Sequence, residues 1–79
     1  MTWAFDLYYK PPANPTKEET LNQRVKSLGG RFDFREEPVG AGICLTYEFD
    51  DAQKADHAAG LLRQQGEHVE GPYEYAGES

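Results

Sequence analysis

The sequence predicts an α+β domain: a four-stranded antiparallel sheet with two helices on one face. Three observations point to it. Four segments read as strands, by alternation of apolar and polar residues and by aromatic enrichment. Two segments place apolar residues at helical spacing behind capping residues. The order along the 79 residues is strand, helix, strand, strand, helix, strand.

The first strand runs from Thr2 to Tyr9, with Trp3, Phe5, Leu7 and Tyr9 on one face and Thr2, Ala4, Asp6 and Tyr8 on the other. Pro11, Pro12 and Pro15 end it, because proline cannot continue a ladder. Thr16 with Glu19 reads as a capping box that opens a helix, each side chain satisfying an orphan amide of the first turn. Leu21, Val25 and Leu28 form its apolar stripe, and Gly29-Gly30 closes it. In the second strand, Arg31 to Arg35, Phe32 and Phe34 are expected to point inward and the three charges outward. Residues 36–42, with Pro38, Gly40 and Gly42, read as the connection to the next strand. Ile43, Leu45, Tyr47 and Phe49 then form an inward face, with Cys44, Thr46 and Glu48 opposite. Asp50 with Gln53 reads as a second capping box. Ala52, Ala55, Ala59 and Leu62, widened by Ala58 and Leu61, make a stripe of small residues that can lie close on a sheet; Gly66 ends that helix. His68 to Tyr75 is the last strand, with Val69, Tyr73 and Tyr75 expected on one side. Pro72 places it at a sheet edge.

Two strand-helix-strand units joined in this way give the split β-α-β pattern, whose sheet order is 4-1-3-2. The two best alternating segments then fall in the centre, and the strand with Pro72 falls at an edge. The run Phe49, Ala55, Ala58, Leu61, Gly66, Val69 resembles the second half of many ferredoxin-like domains. RNA-recognition, metal-binding and small-ligand-binding regulatory domains share that pattern, so the resemblance implies a fold and assigns no functional residue. One domain over residues 1–76 is expected, with 77–79 as a flexible tail.

Size and charge bound the function. A chain this short has a small core, which excludes a two-domain enzyme with a deep cleft and a complete dinucleotide-binding fold. Fourteen acidic residues against eight Lys and Arg give a net charge of −6. The first 39 residues balance at six acids and six bases, so residues 40–79 carry the whole excess. Such a field repels phosphate backbones and attracts basic surfaces. No apolar run is long enough to span a membrane, and Asp6 interrupts the only candidate for a leader. The single cysteine, Cys44, excludes an internal disulfide framework. A reducing cytoplasm is the expected setting.

Motifs for catalysis are missing. Cys44 has no histidine brought near it by spacing; His57 falls on the second helix and His68 at a strand start. No Cys-x-x-Cys, no His pair at helical spacing and no calcium loop occurs, so neither metal nor cofactor is expected. Gly40-Ala41-Gly42 lacks the Lys and Ser/Thr of a phosphate loop. Lys10-Pro11-Pro12-Ala13-Asn14 lacks the glycines and arginine of an acylphosphatase anion cradle. RNA-recognition domains carry stacking aromatics on the central strands of the open sheet face. Here those positions hold Ala4, Asp6, Cys44, Thr46 and Glu48, with only Tyr8 able to stack, so direct nucleic-acid binding is not expected.

What remains is a non-enzymatic acidic interaction module. The open face is expected to show Asp6, Tyr8, Glu48, Glu70 and Glu74, with Asp50 and Asp51 beside it and Tyr73 at the seam of the first and last strands. Those eight residues are the candidate partner-binding set, and the partner is a protein with a basic surface. In size, charge and character the chain is similar to small acidic phage inhibitors of CRISPR complexes and to bacterial ribonuclease regulators. That likeness implies occupation of a basic groove, with carboxylates standing in for phosphates. The alternative is a small-ligand-sensing regulatory domain that works as a homo-oligomer, in which Lys10 to Asn14 would matter. A monomer or weak homodimer is expected; the free edge strands Arg31–Arg35 and Val69–Tyr75 leave room for an edge-paired contact, against which their charges and Pro72 argue.

Overall fold

A computed structural model describes residues 1–37 and 42–75; the 77–79 tail and most of the 36–42 connection lie outside the described residues. The elements are β1 (Thr2–Tyr9), α1 (Pro15–Ser27), β2 (Gly30–Glu36), β3 (Ile43–Phe49), α2 (Ala52–Gln64) and β4 (His68–Tyr75). They form one four-stranded sheet in the order β2-β3-β1-β4, with every neighbouring pair antiparallel. This is the 4-1-3-2 order expected from the sequence, read from the other edge.

Alternation in the central strands produces the core. Phe5 and Leu7 of β1 and Ile43, Leu45, Tyr47 and Phe49 of β3 are buried on one side of the sheet. Leu21 and Val25 of α1 and Ala55, Ala58, Ala59 and Leu62 of α2 join the same cluster. Both helices therefore cover that side. The β1–β3 pairing is regular from Trp3 opposite Phe49 to Tyr9 opposite Ile43.

Both helix starts differ from the expected caps. Asn14 caps α1, its side chain accepting from the Lys17 amide, with Pro15 in the first helical position. Thr16 lies inside that turn. Asp51, and not Asp50, caps α2 by accepting from the Lys54 amide at 3.0 Å. In each case a competing cap residue lies within two positions of the expected one, and Pro15 at N1 favours Asn14. Beyond the ends, Gly66 and Glu67 donate to Arg63 and Leu62 carbonyls, which satisfies the last carbonyls of α2.

Two bulges correct the expected faces. In β2, Phe32 is opposite Tyr47 but Phe34 is opposite Thr46, so Asp33 is an extra residue. In β4, Glu70 is opposite Asp6 but Tyr73 is opposite Ala4, so Gly71-Pro72 spans the single position of Phe5. Gly71 takes φ +115, and a Cβ there would sit 3.1 Å from the Ala4 carbonyl oxygen; glycine alone accepts both constraints easily. A one-residue insertion turns every later side chain over. Phe34 is thereby moved off the helix side, where it was expected, and Arg35 is moved onto it. Tyr73 and Tyr75 turn away from Val69 onto the helix-free side, and Glu74 turns onto the helix side opposite Trp3. Phe32 keeps its expected side but lies at the border, 43% exposed, its ring 6.0 Å from that of Tyr47.

One helix position is open to improvement. Gly60 is in the middle of α2, and a Cβ there meets nothing within 4 Å. Gly60→Ala is expected to raise unfolding free energy by about 0.5–1 kcal/mol, because alanine gives up less backbone entropy. Urea denaturation checks this; an unchanged midpoint would contradict the open surroundings of that site.

Candidate interaction face

The helix-free side is built from all four strands. Ala4, Asp6 and Tyr8 of β1 alternate with Cys44, Thr46 and Glu48 of β3. Phe34 comes from β2, and His68, Glu70, Tyr73 and Tyr75 from β4. Ala4, Cys44 and Thr46 are buried although no helix covers them. The tyrosines of β4 supply the cover. Tyr73 donates to both oxygens of Asp6 at 3.1 Å. Tyr75, at one edge of the sheet, donates to Asp33 on the other edge strand at 2.8 Å, so its side chain reaches inward across the central strands. The two rings meet edge to face with centroids 6.2 Å apart. Tyr8 and His68 make a second edge-to-face pair at 5.7 Å.

The carboxylates on this face are engaged unevenly. Asp6 is part-buried and accepts from Thr46 Oγ1 at 2.6 Å as well as from Tyr73. It therefore anchors the ring layer. Glu48 is held by Arg31 at 3.0 Å, and the same guanidinium reaches Asp50 at 3.2 Å. Glu70 meets His68 at 3.0 Å with its side chain still 62% exposed. Of the eight candidate residues, Asp6, Tyr8, Glu48, Glu70 and Tyr73 are brought together on one face. Asp50 and Asp51 lie past the end of β3, and Glu74 is on the opposite side of the sheet.

Phe34, Tyr73 and Tyr75 are ring-bearing members of the face that plain alternation places on the other side. The expectation that only Tyr8 could stack there is corrected: Phe34, Tyr73 and Tyr75 share the face, with Phe34 40% and Tyr73 37% exposed. Gly71-Pro72 inside a strand is the sequence signal for the β4 bulge. Nothing comparable marks Asp33.

The tyrosine hydroxyls and the Cys44 thiol on this face hold their protons. Burial, followed by contact with the Cys44 thiol, pushes the Tyr8 hydroxyl up to about 12. Burial first and the Asp6 charge second push Tyr73 upward. The hydrogen bond to Asp33 raises Tyr75. Burial pushes the Cys44 thiol up as well, which is the reverse of what a nucleophilic cysteine needs. A tyrosine whose folded pKa exceeds its unfolded value near 10 binds its proton more tightly when folded. Stability is then full below pH ~10 and falls as pH rises, for Tyr8 until about pH 12. Alkaline titration should therefore show tyrosinate absorbance growing together with loss of helical circular dichroism. Tyrosinate formed near pH 10 in a fully helical protein would contradict the packing of these rings.

At the far end of the sheet, Tyr9 donates to Glu18, which also accepts from Arg35 at 2.7 Å. The Arg35 hydrogen bond holds the Glu18 carboxyl below its usual range. In the 10–14 loop, the Asn14 amide donates to the Tyr9 hydroxyl at 2.9 Å while its side chain caps α1. Both groups thus fasten the loop to the fold. Among the described residues no pocket opens, no group of three or more metal-ligating side chains forms, and no helix is long and apolar enough to cross a membrane. No protein-family model matches the chain, and no curated protein or solved structure matches it either.

Proposed function

We propose that the chain is a ferredoxin-like, non-enzymatic interaction module that docks a basic protein surface onto its helix-free sheet face. One observation carries this reading: Phe34 and Tyr73 expose rings on that face, beside carboxylates. Aromatic side chains, held in place, are the usual anchors of protein interfaces. The face suits a protein better than a nucleic acid. Asp6, Asp33 and Glu70 stand on it, and Arg31 is already committed to Glu48 and Asp50. A phosphate backbone would be repelled there, whereas a Lys- or Arg-rich surface would meet Glu70 and, past the end of β3, Asp50 and Asp51. In its sharper form the partner is the basic groove of a nucleic-acid-processing protein. The buried, protonated Cys44 supports the non-enzymatic part.

Immobilised protein exposed to a lysate of its source cell, with and without nuclease, tests this. A basic protein retained after nuclease treatment and released by moderate salt is the expected result, since exposed charge pairs are screened. Retention of single-stranded nucleic acid itself would overturn the reading and make the rings a stacking platform.

A further inference from the structure

The two edges of the sheet are not equivalent. On β4, the Arg63 guanidinium donates to the Val69 carbonyl at 3.1 and 3.2 Å and to the Gly71 carbonyl at 2.6 Å. Pro72 offers no amide. An incoming strand would find these groups already taken or missing. On β2, among the described residues, no side chain or loop bonds the outer amides and carbonyls. The same strand exposes Phe32 on the helix side and Phe34 on the other, 43% and 40% exposed. An edge whose outer amides and carbonyls have no partner among the described residues, with apolar side chains on both faces, is open to strand pairing once its charges find opposite partners.

We propose that β2 pairs antiparallel with β2 of a second copy of this chain, about a two-fold axis between Asp33 and Phe34. The bulge selects the register. Opposed residues in an antiparallel pair share a face. In an unbulged strand a symmetric register would centre on one residue, and centred on Asp33, the middle of the strand, it would set Arg31 against Arg35 and Asp33 against Asp33. Both are like-charge oppositions. With Asp33 inserted, Arg31, Asp33, Phe34 and Glu36 share the helix-free face, and Phe32 and Arg35 share the helix side. Only the axis between Asp33 and Phe34 then opposes residues of matching face throughout. It sets Arg31 opposite Glu36, Phe32 opposite Arg35, and Asp33 opposite Phe34. The like-charge pairs disappear, two Arg31–Glu36 pairs form, and the Arg35 stem covers the exposed Phe32 ring. Arg31 bonds Glu48 and Asp50 through Nε and one terminal nitrogen, so donors remain for Glu36 of the second copy. This inference shares Phe34 with the proposed interaction face but is argued from the β2 edge and its register, not from the proposed partner.

Sedimentation equilibrium from micromolar to millimolar protein, with amide exchange at both extremes, tests it. The expected result is a reversible dimer in which β2 amides exchange more slowly at high concentration and β4 amides do not change. Glu36→Arg places like charges opposite each other twice, and it should weaken the dimer at least about tenfold. Its helical circular dichroism in dilute solution should match the parent. Glu74→Arg makes the same charge change at the other edge and should leave dimerisation within about twofold. A monomer across the whole range, protection confined to β4, or equal weakening by both variants would overturn the proposal.

Discussion

Replacing Phe5 by alanine is expected to cost about 3–5 kcal/mol and to leave a substantial fraction of the protein unfolded. Phe5 is fully buried in the central strand β1, opposite Tyr47. Its ring lies 5.9 Å from that of Tyr47 and 5.4 Å from that of Phe49. It is also the residue spanned by the β4 bulge, where a Cβ on Gly71 would sit 3.1 Å from its Cβ and 3.2 Å from its Cα. Losing the ring removes apolar burial and opens a cavity that a rigid sheet cannot close. A domain of this size holds roughly 4–12 kcal/mol in total, so one substitution consumes a large share. Urea unfolding of Phe5→Ala measures it directly. A loss below about 1 kcal/mol would mean that this aromatic cluster is not the centre of the core.

The parts of this fold that rest on long periodicities are legible in the amino-acid sequence. The alternation of Trp3, Phe5, Leu7 and Tyr9 and of Ile43, Leu45, Tyr47 and Phe49 survives unchanged in the core. With the helical stripes between them, it fixes the element order and hence the sheet order. The parts that rest on single residues are not legible in this way. Asn14 and Thr16, or Asp50 and Asp51, are competing caps within two positions of one another; Pro15 tips the first choice to Asn14, and backbone geometry decides the second. Gly29-Gly30 reads as one cap, yet the two glycines differ. Gly29 takes the positive φ that closes α1, while a Cβ on Gly30 would press into the Phe49 ring at 2.5 Å. That constraint is set by a residue far along the chain and has no local signature. The bulge at Asp33 is the extreme case, because Arg31, Phe32, Asp33, Phe34 and Arg35 alternate perfectly as text. The unpaired edge position tolerates the extra residue, and the Asp33–Tyr75 hydrogen bond from the far edge fixes its side chain. The same bulge carries Phe34 onto the candidate face. Alternation therefore names most of the carboxylates around that face while missing three of its four Phe and Tyr rings, and it counts Glu74 among those carboxylates although the sheet separates that residue from the face.

That difference yields the sharpest test of the interaction reading. With a partner in hand, Phe34→Ala combined with Tyr73→Ala should weaken binding by about 30- to 1000-fold, or about 2–4 kcal/mol, as expected when two anchoring rings are truncated. Stability should fall much less than in Phe5→Ala, because both rings are more than a third exposed. Tyr73→Phe separates the two roles of that residue. It removes the hydroxyl that donates to Asp6 and keeps the ring, so affinity should stay within a few-fold while the anchoring of the ring layer loosens. Charge reversal then reads out the face itself. Glu70→Lys adds a cation opposite Asp6 on the ring-bearing side, whereas Glu74→Lys adds one on the helix side. If the basic partner docks on the rings, Glu70→Lys weakens association severalfold in low salt and the effect shrinks as salt is added. Glu74→Lys changes affinity little at any salt. Equal sensitivity to both reversals, with the two alanines silent, would mean that the acidic charge acts as a diffuse field and that the aromatic face is not where the partner sits.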